Sequence, residues 1–253
     1  MDSRTILLIH ASGMSPAQWR PMLQTLERHY GEVLCPGLTG YASVPLPAAD
    51  ESVIEADLNQ ILEVLHRLKS PCHLAGHSYG GYLALQVARR NPESISRLSL
   101  LEPVAFGVLH EARHEEGLAD VNMWPRTPGF FDPESGGSPS WLKSFVEYWS
   151  GPGSYERMPP PSRVWMELHG KKIFREVVEC CADTFSIADY AALTMPVEIL
   201  AGEKTTRASR GVSTLLASRI PGATLTWIPG AGHMFPISHP RRVIDVLTRD
   251  REA

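Results

Sequence analysis

Short runs of apolar residues alternate along the chain with segments in which apolar residues recur every three or four positions. The runs predict strands and the recurring segments predict helices, because side chains repeat every two residues along a strand and every 3.6 along a helix. Their alternation predicts βαβ units, and therefore a mainly parallel sheet with helices on its faces. The predicted strands are Thr5–His10, Glu32–Cys35, His73–Gly76, Arg97–Leu101, Pro196–Ala201 and Ala223–Ile228.

Two helix starts carry a capping-box pattern, in which a Ser is followed three residues later by Glu or Gln. They are Ser15 with Gln18, and Ser52 with Glu55. The second is followed by a continuous apolar face at helical spacing. Further helices are predicted over Ser78–Arg90, Ser209–Arg219 and Arg241–Arg249.

Residues 107–193 interrupt this alternation. The stretch contains four of the six Trp residues together with clusters of Gly, Ser and Pro. We interpret it as a helical cap inserted into a core formed by residues 1–106 and 194–253, with an apolar inner surface over a pocket. Trp124 and Trp149 are predicted to contact substrate, the alternative being that the aromatic residues only attach the cap to the sheet.

Composition excludes several classes of function. A chain of 253 residues with a formal charge of −4 and no run of Lys or Arg does not suit binding to nucleic acid or to an anionic membrane surface. The longest apolar runs have the length of strands, and the N-terminus lacks a signal-peptide pattern, so a cytoplasmic location is expected. The four Cys residues show neither disulfide nor metal-ligand spacing, and neither a metal nor a cofactor is predicted.

The strongest chemical signal is Gly76-His77-Ser78-Tyr79-Gly80, between an apolar strand and an apolar helix. This Gly-x-Ser-x-Gly pattern is typical of a sharp strand-to-helix turn that exposes a nucleophilic serine, and the glycines allow the close approach of neighbouring backbone. Ser78 is therefore the predicted nucleophile.

A serine hydroxyl needs a base to remove its proton. His233 follows the last predicted strand in a glycine-rich loop and precedes the last predicted helix, and we assign it as the base. His239, His77 and His10 are weaker candidates.

The third member of such a site is a carboxylate that orients the imidazole. In the family that the chain resembles, described below, an Asp is usual in the turn after the fifth strand, where this chain contains Thr205. Glu102 ends the strand that follows the nucleophile helix, at the sheet edge where open α/β sheets place their sites, and it is our first choice. Glu203 is the second choice and Asp183 the third.

Acyl transfer also needs N–H donors for the developing oxyanion. One is predicted to be the Tyr79 amide at the start of the nucleophile helix. The other is predicted in the loop after the first strand, with Ser12 favoured over Ala11. We also place His10 at the substrate pocket.

Taken together, these segments resemble the α/β-hydrolase family, in particular short bacterial serine hydrolases with a helical cap. The resemblance covers nearly the whole chain and rests on His10-Ala11-Ser12 with Gln18-Trp19, Gly76-His77-Ser78-Tyr79-Gly80-Gly81, Leu101-Glu102-Pro103, Tyr148-Trp149-Ser150-Gly151 and Gly232-His233-Met234-Phe235-Pro236. It implies an eight-stranded sheet, shortened here at the N-terminus, and hydrolysis as the activity. Some relatives, including haloalkane dehalogenases, carry the triad Glu at the position of Glu102, but dehalogenation needs an Asp where this chain has Ser78.

Three functions remain open at this stage. The first is hydrolysis of a small carboxylic ester bearing an apolar group, with thioesters and lactones as variants of the same chemistry. The second is a non-hydrolytic enzyme on the same fold: a lyase, a cofactor-free oxygenase, an acyltransferase or a cyclase. The third is a ligand-binding receptor without turnover. An apparently complete triad favours the first, although a fold alone does not decide function. The oligomeric state is not predicted.

Overall fold

The centre of the protein is a parallel β-sheet. A computed structural model of the chain describes residues 5–41 and 44–249, apart from the side chains of residues 125 and 126. In these ranges six strands form one sheet in the order β2-β1-β3-β4-β5-β6, and every neighbouring pair runs parallel. The strands are β1 (Thr5–Ile9), β2 (Glu32–Leu34), β3 (Cys72–His77), β4 (Ile95–Leu101), β5 (Val197–Gly202) and β6 (Thr224–Ile228).

Helices occupy most of the remaining chain. Those outside the β4–β5 connection are α1 (Arg20–His29), α2 (Val53–Leu65), α3 (Tyr79–Arg90), α12 (Arg207–Arg219), α13 (Phe235–Ser238) and α14 (Pro240–Leu247). Those within that connection are α4 (Gly107–Glu111), α5 (Glu115–Val121), α6 (Met123–Arg126), α7 (Pro139–Ser150), α8 (Ser154–Arg157), α9 (Pro160–Leu168), α10 (Gly170–Cys181) and α11 (Ile187–Ala191).

Apolar side chains fill both faces of the sheet. Along β1, Leu7 and Ile9 join one cluster with residues of α2, α3 and α12, whereas Ile6 and Leu8 join a second cluster with residues of α1 and α14. This division follows from the strand geometry, since successive side chains point to opposite faces. All four side chains are fully buried. The predicted α/β architecture is therefore confirmed.

The predicted element boundaries are close to the observed ones. All six predicted strands are present, with ends that differ by at most two residues. The last helix begins at Pro240 rather than Arg241, and a short helix, α13, precedes it. The described residues contain six strands, fewer than the eight of the family design that the resemblance implied.

Both capping boxes are only half formed. Ser52 Oγ accepts from the Glu55 amide at 3.1 Å, but the Glu55 carboxylate binds Arg90 instead of returning to the helix start. Ser15 Oγ accepts from a neighbouring amide, while the Gln18 side chain is directed into the core of the protein. In both cases a tertiary partner replaces the local contact that the pattern predicts.

The connection between β4 and β5 is entirely helical in its regular structure. Asp183 is buried near the end of this connection and accepts from the Gly107 and Phe185 amides, each at 3.0 Å. It also accepts from the Tyr82 hydroxyl of α3 at 3.3 Å. Asp183 thus joins the beginning and the end of the connection to the helix that follows β3.

None of the helices in the described residues is both long and apolar enough to cross a lipid bilayer. His, Cys, Asp and Glu side chains nowhere gather in groups of three suited to a metal ion within residues 5–41 and 44–249.

Candidate active site

Ser78 lies on the sharp turn between β3 and α3. Its backbone adopts φ 55° and ψ −115°, a left-handed conformation that costs a non-glycine residue about 1–3 kcal/mol. A Cβ on Gly76 would lie 2.1 Å from the Gly80 carbonyl oxygen, and a Cβ on Gly80 would lie 2.4 Å from the Ile9 carbonyl oxygen. The two glycines of the motif are therefore required for the turn to pack against β1.

The imidazole of His233 lies beside the Ser78 hydroxyl. The distance from Ser78 Oγ to His233 Nε2 is 3.0 Å, within hydrogen-bond range. His233 is 3% exposed and lies in the loop between β6 and α13. The two residues are 155 positions apart, so only the order of the strands in the sheet brings them together.

The carboxylate of Glu102 lies on the other side of the same imidazole. Its Oε2 is 2.6 Å from His233 Nδ1 and accepts from the Thr205 hydroxyl at 2.7 Å, while its Oε1 accepts from the Gly202 amide at 2.6 Å. Glu102 is fully buried, and these three donors offset the cost of burying its charge. Its backbone φ of 45° is again left-handed and lies at the C-terminal end of β4.

The other two candidate acids lie elsewhere. Glu203 is exposed and accepts from the Gly230 amide at 2.9 Å, which links two loops at the surface. Asp183 is engaged at the ends of the β4–β5 connection, as described above. Thr205, at the position where an Asp was expected, donates a hydrogen bond to the Glu102 carboxylate.

A second chain of hydrogen bonds joins the loop after β1 to the loop that carries His233. Gln18 Oε1 accepts from the Ala11 amide at 3.0 Å, and Gln18 Nε2 lies 3.2 Å from His77 Nδ1. His77 Nε2 lies 3.0 Å from the His233 carbonyl oxygen. Burial holds the pKa of His77 well below its usual value, so the ring is neutral and donates through Nε2 while it accepts through Nδ1.

These hydrogen bonds decide which of the predicted oxyanion donors are free to bind a ligand. The Ala11 amide is already donated to Gln18, which leaves Ser12 as the candidate in that loop. Tyr79 is the first residue of α3, and the first bond of that helix is donated by the Tyr82 amide to the Ser78 carbonyl. The Tyr79 amide lies before that bond. It is one of the N–H groups at the start of a helix that have no acceptor within the helix.

A small cavity, with a free volume of about 20 Å³, adjoins Ser78. Three polar residues and seven others line it: Ser12, Ser78, Glu176, Val104, Phe106, Trp124, Phe145, Trp149, Val177 and Cys180. Eight of the ten belong to the β4–β5 connection. The ring of Trp149 stacks on His233 with centroids 4.0 Å apart and planes 23° apart.

The three residues predicted to contact substrate have different positions. Trp124 and Trp149 line the cavity, whereas His10 is not among its lining residues. His10 is fully buried, donates through Nδ1 to the Ala11 carbonyl at 2.9 Å and packs edge-on against Tyr41. Burial lowers the pKa of His10 to about 4, so it is neutral. The His10 ring thus lies in the protein interior against Tyr41, and its contact with substrate stays a prediction.

Three residues of the site were not identified as such from the sequence. Gln18 carried a signal that pointed to helix capping, and Thr205 was noted only as the wrong residue for an acid. Glu176 lies in an amphipathic helix of the β4–β5 connection, and a single Glu in such a helix normally indicates a solvent-facing position. Its complete burial beside the cavity depends on how that helix packs.

Comparison with known proteins assigns the chain to a family. Residues 6–246 match the sequence profile of the alpha/beta hydrolase family. The chain therefore belongs to that family, and its fold and enzymatic class are those of the α/β hydrolases.

Individual relatives are distant but extend over most of the chain. A pimeloyl-[acyl-carrier protein] methyl ester esterase from Aromatoleum aromaticum is 26% identical over 251 residues, which cover 95% of each chain. An (E)-2-((N-methylformamido)methylene)succinate hydrolase from Acinetobacter baylyi is 21% identical over 251 residues, covering 96% of this chain and 88% of the relative. Among solved structures, the enol-lactonase from Burkholderia xenovorans superimposes with a TM-score of 0.71 at 19% identity, covering 98% of this chain and 90% of the other.

Proposed function

We propose that this protein is a serine esterase that cleaves small carboxylic esters through an acyl-enzyme on Ser78. The observation that carries the proposal is the continuous hydrogen-bonded chain from Ser78 Oγ through His233 to Glu102, with distances of 3.0 and 2.6 Å. Several relatives are named as esterases or hydrolases, which supports ester cleavage as the reaction class.

In the acylation step, His233 Nε2 takes the proton of the Ser78 hydroxyl as Oγ attacks the ester carbonyl carbon. Glu102 keeps the other proton on Nδ1 and stabilises the imidazolium. The amides of Tyr79 and Ser12 bind the oxyanion of the tetrahedral intermediate. His233 then donates its proton to the leaving alkoxide, so that the alcohol departs and the acyl group remains on Ser78.

Deacylation repeats these steps with water. His233 takes a proton from a water molecule, whose oxygen attacks the acyl carbonyl, and returns that proton to Ser78 as the carboxylic acid is released. A lactone would follow the same route, with its alcohol and acid remaining parts of one molecule.

The cavity restricts the substrate. Its free volume of about 20 Å³ has room for roughly one water molecule. Its walls are mainly apolar and aromatic. We therefore assign residues 107–193 the role of a cap that selects a short apolar acyl or alkyl group.

Active-site labelling beside an ester panel tests the proposal. A fluorophosphonate should label the wild type once, at Ser78, as located by peptide mass spectrometry. The wild type should hydrolyse p-nitrophenyl butanoate faster than the octanoate, and Ser78→Ala should abolish both labelling and hydrolysis.

The matched control is Ser218→Ala, which changes an exposed serine of α12 that does not line the cavity. This variant should retain the labelling and the activity of the wild type. Failure of the wild type to hydrolyse any ester or to take up the label, or full activity in Ser78→Ala, would refute the proposed chemistry.

A further inference from the structure

Glu176 is the only carboxyl among the ten residues that line the cavity beside Ser78. It projects from α10 and is fully buried. A buried carboxyl in a mainly apolar cavity is costly unless its oxygens find donors. The partners of its two oxygens therefore show what a ligand would have to supply.

The two oxygens of Glu176 differ. Oε2 accepts from the Tyr41 hydroxyl at 2.9 Å, and that hydroxyl in turn accepts from the Gly13 amide at 2.7 Å. Oε1 lies 3.4 Å from Lys172 Nζ but has no hydrogen-bond partner among the described residues. One oxygen therefore has a hydrogen-bond donor from the protein, and the other has only the ion pair with Lys172.

Lys172 does not satisfy Oε1 because Asp57 holds it. Lys172 Nζ lies 2.5 Å from Asp57 Oδ2, an oxygen that also accepts from the Tyr79 hydroxyl at 2.7 Å. The other oxygen of Asp57 accepts from both the amide and the hydroxyl of Thr39. Asp57 has four donors, whereas Glu176 has the Tyr41 hydroxyl, the nearby Ser12 hydroxyl and a longer ion pair with Lys172 at 3.4 Å.

The acidity of Glu176 agrees with this shortage of donors. Burial, together with the nearby negative charge of Asp57, raises its pKa to about 7. Lys172 and the hydroxyls of Ser12 and Tyr41 act in the opposite direction without restoring the usual value. The carboxyl lacks the donors that would keep it fully ionised, and two acidic residues close together make the region unfavourable for an anion.

We propose that Glu176 is the polar anchor of the cavity and that the substrate carries a hydrogen-bond donor, a hydroxyl or ammonium group, on its short apolar acyl or alkyl part. The proposal rests on the ester hydrolysis proposed above and specifies its substrate class. The donor of the ligand completes the coordination of Oε1, and esters that bear a carboxylate are rejected. Removal of a buried donor from a ligand leaves the acceptor unpaired, which is the basis of strong discrimination between otherwise equal substrates.

Isosteric ester pairs test this directly in a pH-stat. Propyl butanoate against 2-hydroxyethyl butanoate places the donor on the alcohol side, and methyl 3-methylbutanoate against methyl 3-hydroxybutanoate places it on the acyl side. Methyl 3-aminobutanoate and methyl hemisuccinate supply the ammonium and carboxylate forms. For at least one pair, kcat/KM measured at a pH well above 7, where Glu176 is ionised, should favour the donor-bearing member by about tenfold or more, since hydrogen bonds to charged groups are the strong ones. The hemisuccinate should be the poorest substrate.

Variants connect the preference to Glu176. Glu176→Leu, which has no acceptor, should remove the preference, and Glu176→Gln, which keeps a neutral acceptor, should reduce it. The matched control is Glu179→Gln on the same helix, because Glu179 binds Ser52 and the first amides of α2 and does not line the cavity. That variant should keep the preference of the wild type.

The outcomes separate this proposal from the esterase assignment. Active wild-type enzyme with equal kcat/KM within each pair, or with a preference for the hemisuccinate, would overturn the role of Glu176 and leave the esterase standing. If no ester is hydrolysed, the esterase assignment fails. The role of Glu176 is then tested by titrating Ser78→Ala with the same ester pairs and following its tryptophan fluorescence. Equal affinities there would overturn the proposal, and tighter binding of the donor-bearing members would support it.

Discussion

Replacing Glu102 with Gln exchanges one oxygen for an NH₂ group, and the surrounding donors determine which one. Glu102 Oε1 accepts from the Gly202 amide at 2.6 Å, so the remaining oxygen of the Gln side chain must stay there to avoid two opposed donors. The NH₂ group then faces His233 Nδ1 at the position of Oε2. His233 must accept that hydrogen bond through Nδ1 and carry its proton on Nε2, where it cannot accept the proton of Ser78.

The expected effect of Glu102→Gln is a loss of about 10³–10⁴-fold in kcat/KM, equivalent to ~4–5.5 kcal/mol of transition-state stabilisation. The shape of the side chain is kept, so the unfolding midpoint in urea should change far less than the activity. Initial rates with p-nitrophenyl butanoate at neutral pH measure the loss, and circular dichroism checks the fold.

Glu203→Gln is the matched control, because Glu203 is exposed and contacts the Gly230 amide rather than the imidazole. It should change kcat/KM by less than about threefold, the range expected for an exposed polar contact. If Glu102→Gln kept more than a tenth of the wild-type activity, the tautomer argument would be wrong. A severe loss in Glu203→Gln instead would move the acid to the loop after β5.

Three further predictions concern the surroundings of the site. Thr205→Val removes one of the three donors to the Glu102 carboxylate and should lower kcat/KM by about tenfold or more, because a hydrogen bond to a charged acceptor is worth ~1.5 kcal/mol or more. An unchanged rate and pH–rate profile would contradict this. Gly76→Ala should lower the free energy of unfolding in urea by at least ~3 kcal/mol, because its Cβ would meet backbone at 2.1 Å, whereas Gly37→Ala, with open space around it, should have little effect. Burial holds the pKa values of His73 and His77 well below 6.5, so the unfolded chain binds protons that the folded protein does not. The free energy of unfolding should therefore fall as the pH drops below about 6.5, by up to ~1.4 kcal/mol per pH unit for each histidine. Equal unfolding free energies at pH 7 and pH 5 would refute this.

Prediction from sequence was most successful where the signal is local. The apolar alternation placed all six strands to within two residues, because side-chain burial on both faces of a central sheet requires it. It was least successful for polar side chains with two possible partners. Gln18 matched a capping pattern, yet its amide joins the Ala11 amide to His77, two groups that lie in different parts of the chain.

The side chain of His10 is a second case in which the sequence does not determine the contact. It follows β1 and lies beside the turn that carries Ser78, since the Gly80 backbone approaches the His10 carbonyl. The direction of its ring, into the interior against Tyr41 and not into the cavity, is decided by side-chain rotation and packing. No pattern along the chain encodes that choice.

The sequence alone determined the class of fold and the turn that carries Ser78, because strand and helix periodicities and the glycines at 76 and 80 act over a few neighbouring residues. The tertiary structure decided which of the 28 acidic residues meets His233 and which one lines the cavity. Glu102 and His233 are 131 positions apart, and Glu176 reaches the cavity from a helix between β4 and β5. Contacts between residues so far apart in sequence depend on the order of strands in the sheet and on the packing of helices over its edge. They therefore form only when the whole chain has folded.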